Sequence, residues 1–288
     1  MRFVTFQTAQ GPRVGSVRDG RYVDLARTDS TLPWSLKELL AGGPEIMRRA
    51  AAAHAKGATI DPGTVRVLAP IPEPQKVICV GLNYADHARE SGLEPPPEPV
   101  IFNKFPTAVA AHGDAIPLPG ESHEVDYEAE LVVVINRRAR RIAVENAHEY
   151  IGGYCVGNDV SARDWQSGKP GKQWLLGKTF DSFAPFGPEL VTPDEVGDPG
   201  HLRIQCRVNG QTLQDSNTDQ LIFSVPRLIA YISQVCTLAP GDVIFTGTPP
   251  GVGFARKPPI FLKPGDKAEV EIERIGLLRN SFVADAGN

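Results

Sequence analysis

The sequence predicts a mixed α/β protein built mainly from β-strands, and three observations carry that expectation. The 288 residues include 28 glycines and 26 prolines, too many for a helical bundle and suited to strands joined by turns. Short β-branched runs such as RFVTF, KVICVG, ELVVVI and GYCVG recur between turn signals. Helical spacing is confined to a few stretches, among them SLKELLAGG, EIMRRAAAAHAKG and SVPRLIAYISQVCTL.

In chain order, residues 1–70 read as a small N-terminal α+β domain. Three short strands come first, with Asp19-Gly20 as a hairpin turn between the last two, and two glycine-stopped helices follow. No catalytic constellation lies there, so its expected role is packing or support of a dimer. The proline-spaced APIPEPQ (69–75) marks a boundary, and residues 71–288 form the second, catalytic domain. Within it Asn209-Gly210 signals another hairpin, and Pro-Gly-Asp turns at 240–242 and 264–266 introduce strands at what read as barrel corners.

Composition excludes several function classes. With a net charge of −4 there is no basic excess to attract nucleic acid or anionic lipid. No apolar run approaches the ~18 residues that span a bilayer. The N-terminus, MRFVTFQTAQGPRVG, lacks the apolar core of a signal peptide, which leads to the expectation of a cytoplasmic protein. Cys79, Cys155, Cys206 and Cys236 are scattered without a C-x-x-C pair, which argues against zinc and disulfides.

The chemistry centres on EVDYEAELVVVI (124–135). In a strand, residues two apart share a face, so Asp126, Glu128 and Glu130 are expected together. Three carboxylates leading into a buried strand repel one another unless a hard divalent cation neutralises them; otherwise the face is solvated. Asp159, at the end of the apolar run GYCVGN, can supply a third oxygen ligand. In LNYADHARESG, Asn83 can cap a short helix, and His87 and Glu90 fall three apart on one face. That spacing fits either a surface pair or a base with its orienting acid. Lys178 stands in an apolar and aromatic setting, as a snorkelling residue or as a buried cation facing an anion. GTPPGVG (247–253) lacks the lysine and helix of a P-loop and reads as a rigid turn offering Thr248 and backbone N–H groups to a small anion.

Five of these stretches occur in register: GLNYADHARESG, VDYEAEL, GNDVSARDWQ, GKTFDSFAPFGP and FTGTPPGVG. Over roughly residues 70–288 the chain thereby resembles the fumarylacetoacetate hydrolase family, in its shorter bacterial-type form. The resemblance implies a β-roll or barrel catalytic domain, a homodimer, and one Mg²⁺ or Mn²⁺ on Glu128, Glu130 and Asp159. It makes His87 and Glu90 a water-activating dyad on a lid, gives Lys178 the task of stabilising an enolate, and places Arg163, Gln166 and Thr248 in the substrate pocket. The implied activity is metal-dependent hydrolysis of a C–C bond in a 2,4-dioxo acid. The alternatives on the same fold are an oxaloacetate-type decarboxylase and a 2-hydroxyhepta-2,4-diene-1,7-dioate-type isomerase. Leu82 departs from an arginine that some acylpyruvate-cleaving members carry, so the substrate is not transferred directly.

Overall fold

The computed structural model describes residues 1–285; the last three residues of the expected catalytic segment lie outside them. The β-branched runs form strands, and the backbone is organised by one 12-stranded and one five-stranded sheet. At the centre of the large sheet, Ala129–Ile135 pairs antiparallel with Ile151–Asn158 on one side and Val243–Phe245 on the other. Val243–Phe245 then runs parallel to Val77–Gly81, and Val100–Lys104 closes that end of the sheet.

The N-terminal strands extend the same sheet. Arg2–Thr8 pairs with Ala184–Val191, which itself pairs with Ile151–Asn158. Arg2–Thr8, Gly11–Arg18 and Arg21–Asp24 form two successive hairpins, the second of them the expected one, turned by Asp19 and Gly20 at φ 51° and 71°. Positive φ at both central residues matches the strand twist, which is why the Asp-Gly pair serves there.

The Ala129–Ile135 strand reads as an unbroken apolar run after Glu130 because both faces are covered. Leu131, Val133 and Ile135 pack with Val156, Ile204, Val270 and Phe282, joining the large sheet to the five-stranded one. Val132 and Val134 point the other way, into a cluster with Phe3, Leu36, Leu39, Ala50 and Phe245. The helix Val225–Val235 contributes Leu228, Ile229 and Ile232 to the first cluster. Among the described residues neither sheet closes on itself, and the Pro-Gly-Asp turns act as strand lead-ins rather than as barrel corners.

Candidate active site

Neighbouring strand ends in the large sheet bring the acidic groups together, and the register decides which. Ala129 pairs with Asn158, so Glu128 falls beside Asp159, whose backbone N–H donates to the Glu128 carbonyl at 2.9 Å. Glu128, Glu130 and Asp159 are all buried, and each offers a carboxylate oxygen within 4.8 Å of the others.

Asp126 does not join them as expected. Strand geometry stops at Asp126 and resumes at Ala129, so the alternation does not run through residues 127 and 128. Its carboxylate instead accepts the N–H groups of Gly253 (2.7 Å) and Phe254 (3.0 Å) and the Nε of Arg163 (2.9 Å).

Three buried cations serve these acids. Lys178 Nζ donates to Glu128 Oε2 at 2.8 Å and Asp159 Oδ2 at 3.2 Å, so it is a buried cation and not a snorkelling one. Arg163 Nη2 lies 2.8 Å from Asp126 and 2.7 Å from Glu128, while its Nη1 donates to Gln166 Oε1 at 3.0 Å. The third, Lys104, is not among the residues that the sequence singles out. Its Nζ lies 2.6 Å from Asp159 Oδ1 and donates to the carbonyls of Val160 (2.8 Å) and Phe183 (2.6 Å). The signal that marked Lys178, a lysine among apolar and aromatic residues, is present at VIFNKF as well.

Charge is unevenly matched across the group. Burial opposes ionisation of Glu128, but Lys178 and Arg163 outweigh it and draw the carboxyl down to about 2. Glu130 moves the other way. Burial, then the charges of Asp159 and Glu128, push it well above the usual carboxylate range, against the Gly247 N–H that donates to its Oε2 at 2.8 Å. Asp159 Oδ1 is buried and, although close to Lys104, has no aligned hydrogen bond among the described residues. A hard dication fits this set: it would meet oxygen ligands only, relieve Glu130 and give Asp159 Oδ1 a partner.

The buried pair beneath the triad yields a stability prediction. Lys104→Met leaves Asp159 with one cation fewer in a site closed to water, which typically costs about 3–5 kcal/mol. Urea unfolding of metal-free protein measures the loss. A change below about 1 kcal/mol, the size expected of exposed pairs, would contradict this account of Lys104.

His87 and Glu90 sit on the helix Ala85–Glu90, with Nδ1 and Oε2 3.1 Å apart. The Gly251 N–H donates to Glu90 Oε1 at 2.9 Å. Burial works to raise the Glu90 carboxyl, but its bonds to His87 and Gly251 prevail and lower it. With Nδ1 engaged by the carboxylate, Nε2 is the ring nitrogen left to face a ligand.

Asn83 does not cap this helix as expected. It is buried, its amide donates to the carbonyls of Phe223 (3.1 Å) and Thr246 (2.7 Å), and its oxygen accepts the Phe223 N–H (2.8 Å). Tyr84 occupies the cap position without a side-chain bond, and Asp86 ties the helix to the Ser216 hydroxyl. The GTPPGVG turn also differs from expectation. Its N–H groups at Gly247 and Gly251 serve the protein's own Glu130 and Glu90, and Thr248 Oγ1 accepts from Gln214 Nε2 at 2.8 Å.

A cavity of about 770 Å³ brings the expected residues into one space: His87, Glu90, Glu128, Glu130, Arg163, Gln166, Lys178 and Thr248 all line it. Asp159 lies behind the lining. The apolar part of the lining includes Leu82, Phe102, Trp174 and Phe254, with Lys178 Nζ 5.1 Å from the centre of the Phe102 ring. Gly81 is required where that wall closes, because a Cβ there would come within 2.4 Å of the Trp174 ring. Leu82, next to it, holds a left-handed φ of 50°, which costs a non-glycine residue on the order of 1 kcal/mol or more.

Residues 76–283 match the family model described as fumarylacetoacetate (FAA) hydrolase C-terminal. A Bos taurus protein named oxaloacetate tautomerase FAHD2A, mitochondrial, is 50% identical over 290 residues, covering 98% of this chain and 92% of its own length. A fumarylacetoacetate hydrolase from psychrophilic Exiguobacterium antarcticum shares the fold with a TM-score of 0.87 and 36% identity, over 99% of this chain and 100% of that one. A maleylpyruvate hydrolase of Sphingobium, solved with a manganese(II) ion and pyruvate, has a TM-score of 0.83 and 28% identity over 99% of each chain.

These relatives overturn the expected cytoplasmic location, since Bos taurus and Homo sapiens proteins that match 98% of the chain carry mitochondrial in their names. The absence of a secretory apolar core does not bear on mitochondrial import, which uses a different, amphipathic signal. The family itself stands as the resemblance implied. With its model spanning residues 76–283 and relatives aligned over nearly the whole chain, this protein belongs to the fumarylacetoacetate hydrolase family.

Proposed function

We propose that the protein is a divalent-metal-dependent tautomerase that interconverts the keto and enol forms of a small 2-oxo acid, with oxaloacetate as the candidate substrate. The observation that carries this reading is the His87–Glu90 pair, held at 3.1 Å and lining the same cavity as Glu128, Glu130 and Lys178. Moving a proton needs such a base and a polarised carbonyl, and needs no activated water. The relatives favour it over the hydrolysis first expected: the half-identical one is named as a tautomerase, whereas the two hydrolases are 36% and 28% identical.

Glu128, Glu130 and Asp159 would hold the ion, and a hard dication there supplies Lewis-acid polarisation of the 2-oxo carbonyl. The chain's own groups do the rest. Glu90, fixed by the Gly251 N–H, orients His87 through Nδ1. In the keto-to-enol direction His87 Nε2 takes the C3 proton, the C–H electron pair becomes the C2=C3 bond, the C2=O π pair moves onto the oxygen, and that oxygen takes a proton from solvent while His87 returns its own to solvent. Lys178, buried in the floor, offers positive charge where that oxygen gathers electrons. Arg163 keeps Glu128 in place, Gln166 is bonded to Arg163, and Thr248 completes the polar side of the pocket.

Oxaloacetate followed by NMR in D₂O with Mg²⁺ or Mn²⁺ tests the reading. The expected result is enzyme-dependent exchange of the C3 hydrogens and faster keto–enol equilibration, with every C–C bond intact. If exchange stays at the spontaneous rate while the enzyme cleaves a 2,4-dioxo acid or releases CO₂, the tautomerase reading falls.

A further inference from the structure

Four of the charged side chains lining the cavity are permanent cations, and three are already committed. Arg163 and Lys178 are tied to buried carboxylates. Arg256 clamps backbone: its Nε donates to the Gly251 carbonyl at 3.2 Å and its Nη2 to the Leu213 carbonyl. The fourth, Lys257, is exposed and has no hydrogen-bond or ion-pair partner among the described residues. The acids that line the same cavity are Glu90, Glu128 and Glu130, and each is engaged elsewhere.

The segment that carries Lys257 is anchored on both sides. Gly253 and Phe254 donate to Asp126, and the Arg256 N–H and Ile260 N–H both reach the Gly253 carbonyl, at 3.2 and 3.0 Å. Gly253 is required at this crossing, since a Cβ would sit 1.8 Å from the Ile260 carbonyl oxygen. Asp126 in turn holds Arg163, which holds Glu128. A chain of charge-assisted bonds therefore fixes the Lys257 backbone relative to the acidic triad. Beside Lys257 the wall is apolar, with Phe254 and Pro259, and an apolar wall strengthens the attraction between a cation and an entering anion.

We propose that Lys257 forms a second anion subsite, which holds the distal carboxylate of a 2-oxo dicarboxylic acid whose 2-oxo-carboxylate end lies at the triad. This rests on the tautomerase reading and specifies its substrate class: dicarboxylates are selected over 2-oxo monocarboxylates of similar length. Leu82 and Phe102 offer a distal carboxylate no polar group and Trp174 only a neutral indole N–H, which leaves Lys257 as the cation able to receive it.

The test uses full-length protein in excess Mn²⁺ and two ligands measured by calorimetry. Oxalate occupies the metal end alone; 3,3-difluorooxaloacetate adds the distal carboxylate and has no C3 hydrogen to lose. Lys257→Met is expected to weaken difluorooxaloacetate at least about tenfold, the effect of losing one modest charge contact, and to leave oxalate unchanged. Lys257→Arg should restore binding, and the Met deficit should shrink as salt rises. In turnover, Lys257→Met raises KM for oxaloacetate with kcat nearly unchanged. The subsite is overturned if Lys257→Met binds both ligands like the wild type, if it weakens both equally, or if the wild type does not bind difluorooxaloacetate. If the binding contrast holds but oxaloacetate is not tautomerised, the subsite stands and the reaction assigned above falls; the reverse pattern removes the subsite and keeps the reaction.

Discussion

Glu130→Gln is expected to eliminate metal-dependent turnover and, at the same time, to make the metal-free protein more stable at neutral pH. Both effects follow from where Glu130 sits. Its carboxylate is buried beside Asp159 and Glu128, and the three nearby cations are engaged by other acids. Without a dication it is held protonated beyond the usual carboxylate range. The folded state then binds more protons than the unfolded chain, so metal-free stability is fullest below the unfolded carboxylate value. It declines as pH rises from there towards the raised folded value. A neutral amide removes that decline, and it also removes an anionic ligand from a site that binds a hard cation through charge. Glu128→Gln and Asp159→Asn should likewise abolish turnover, but they strand the cations that now pair with them and should destabilise the fold. The contrast separates ligand from scaffold. Thermal unfolding with and without chelator, over a range of pH, reads it out. Wild-type protein should gain stability from Mg²⁺ or Mn²⁺ and release protons on binding, while Glu130→Gln should do neither. Full activity of the chelated wild type would sink the metal assignment.

Local features of the fold were legible because their causes are local. Asp19-Gly20 and Asn209-Gly210 both turn hairpins with positive φ at each central residue, a preference written in two adjacent letters. The His87–Glu90 contact follows from helical spacing, and Glu128 and Glu130 reach the triad from their place at the head of an apolar strand. What stayed hidden depends on partners far away in sequence. Asn83 had the spacing of a cap, but three backbone groups more than 130 residues downstream satisfy it better in a buried site. Asp126 had the parity of a ligand, yet the chain breaks alternation at 127–128 and hands it to Gly253 and Phe254. Lys104 and Lys178 carry nearly the same local signal, and only strand register shows that both converge on Asp159. The chemistry of the site was readable from residue types. Which acid each cation neutralises was not, because that is decided by tertiary geometry.

His87→Ala is expected to lower keto–enol interconversion of oxaloacetate by about 10²–10⁴-fold, the usual range for loss of a positioned base. The loss should fall on kcat, since His87 bonds to Glu90 and not to the carboxylates that would hold the ion. Oxalate affinity should therefore change little. The hydrolysis first expected from the dyad makes a different demand. There His87 would activate water, and its removal would suppress C–C cleavage while leaving C3 hydrogen exchange, which then requires only a polarised carbonyl, comparatively fast. In the tautomerase the exchange itself is the reaction, so His87→Ala must slow exchange and equilibration together. Glu90→Gln provides the internal control. It keeps a group able to bond Nδ1 and the Gly251 N–H, so the ring stays oriented and the loss of rate should be smaller than that of His87→Ala. An unchanged exchange rate in His87→Ala would show that the dyad is not the proton carrier, and the tautomerase mechanism would have to be abandoned.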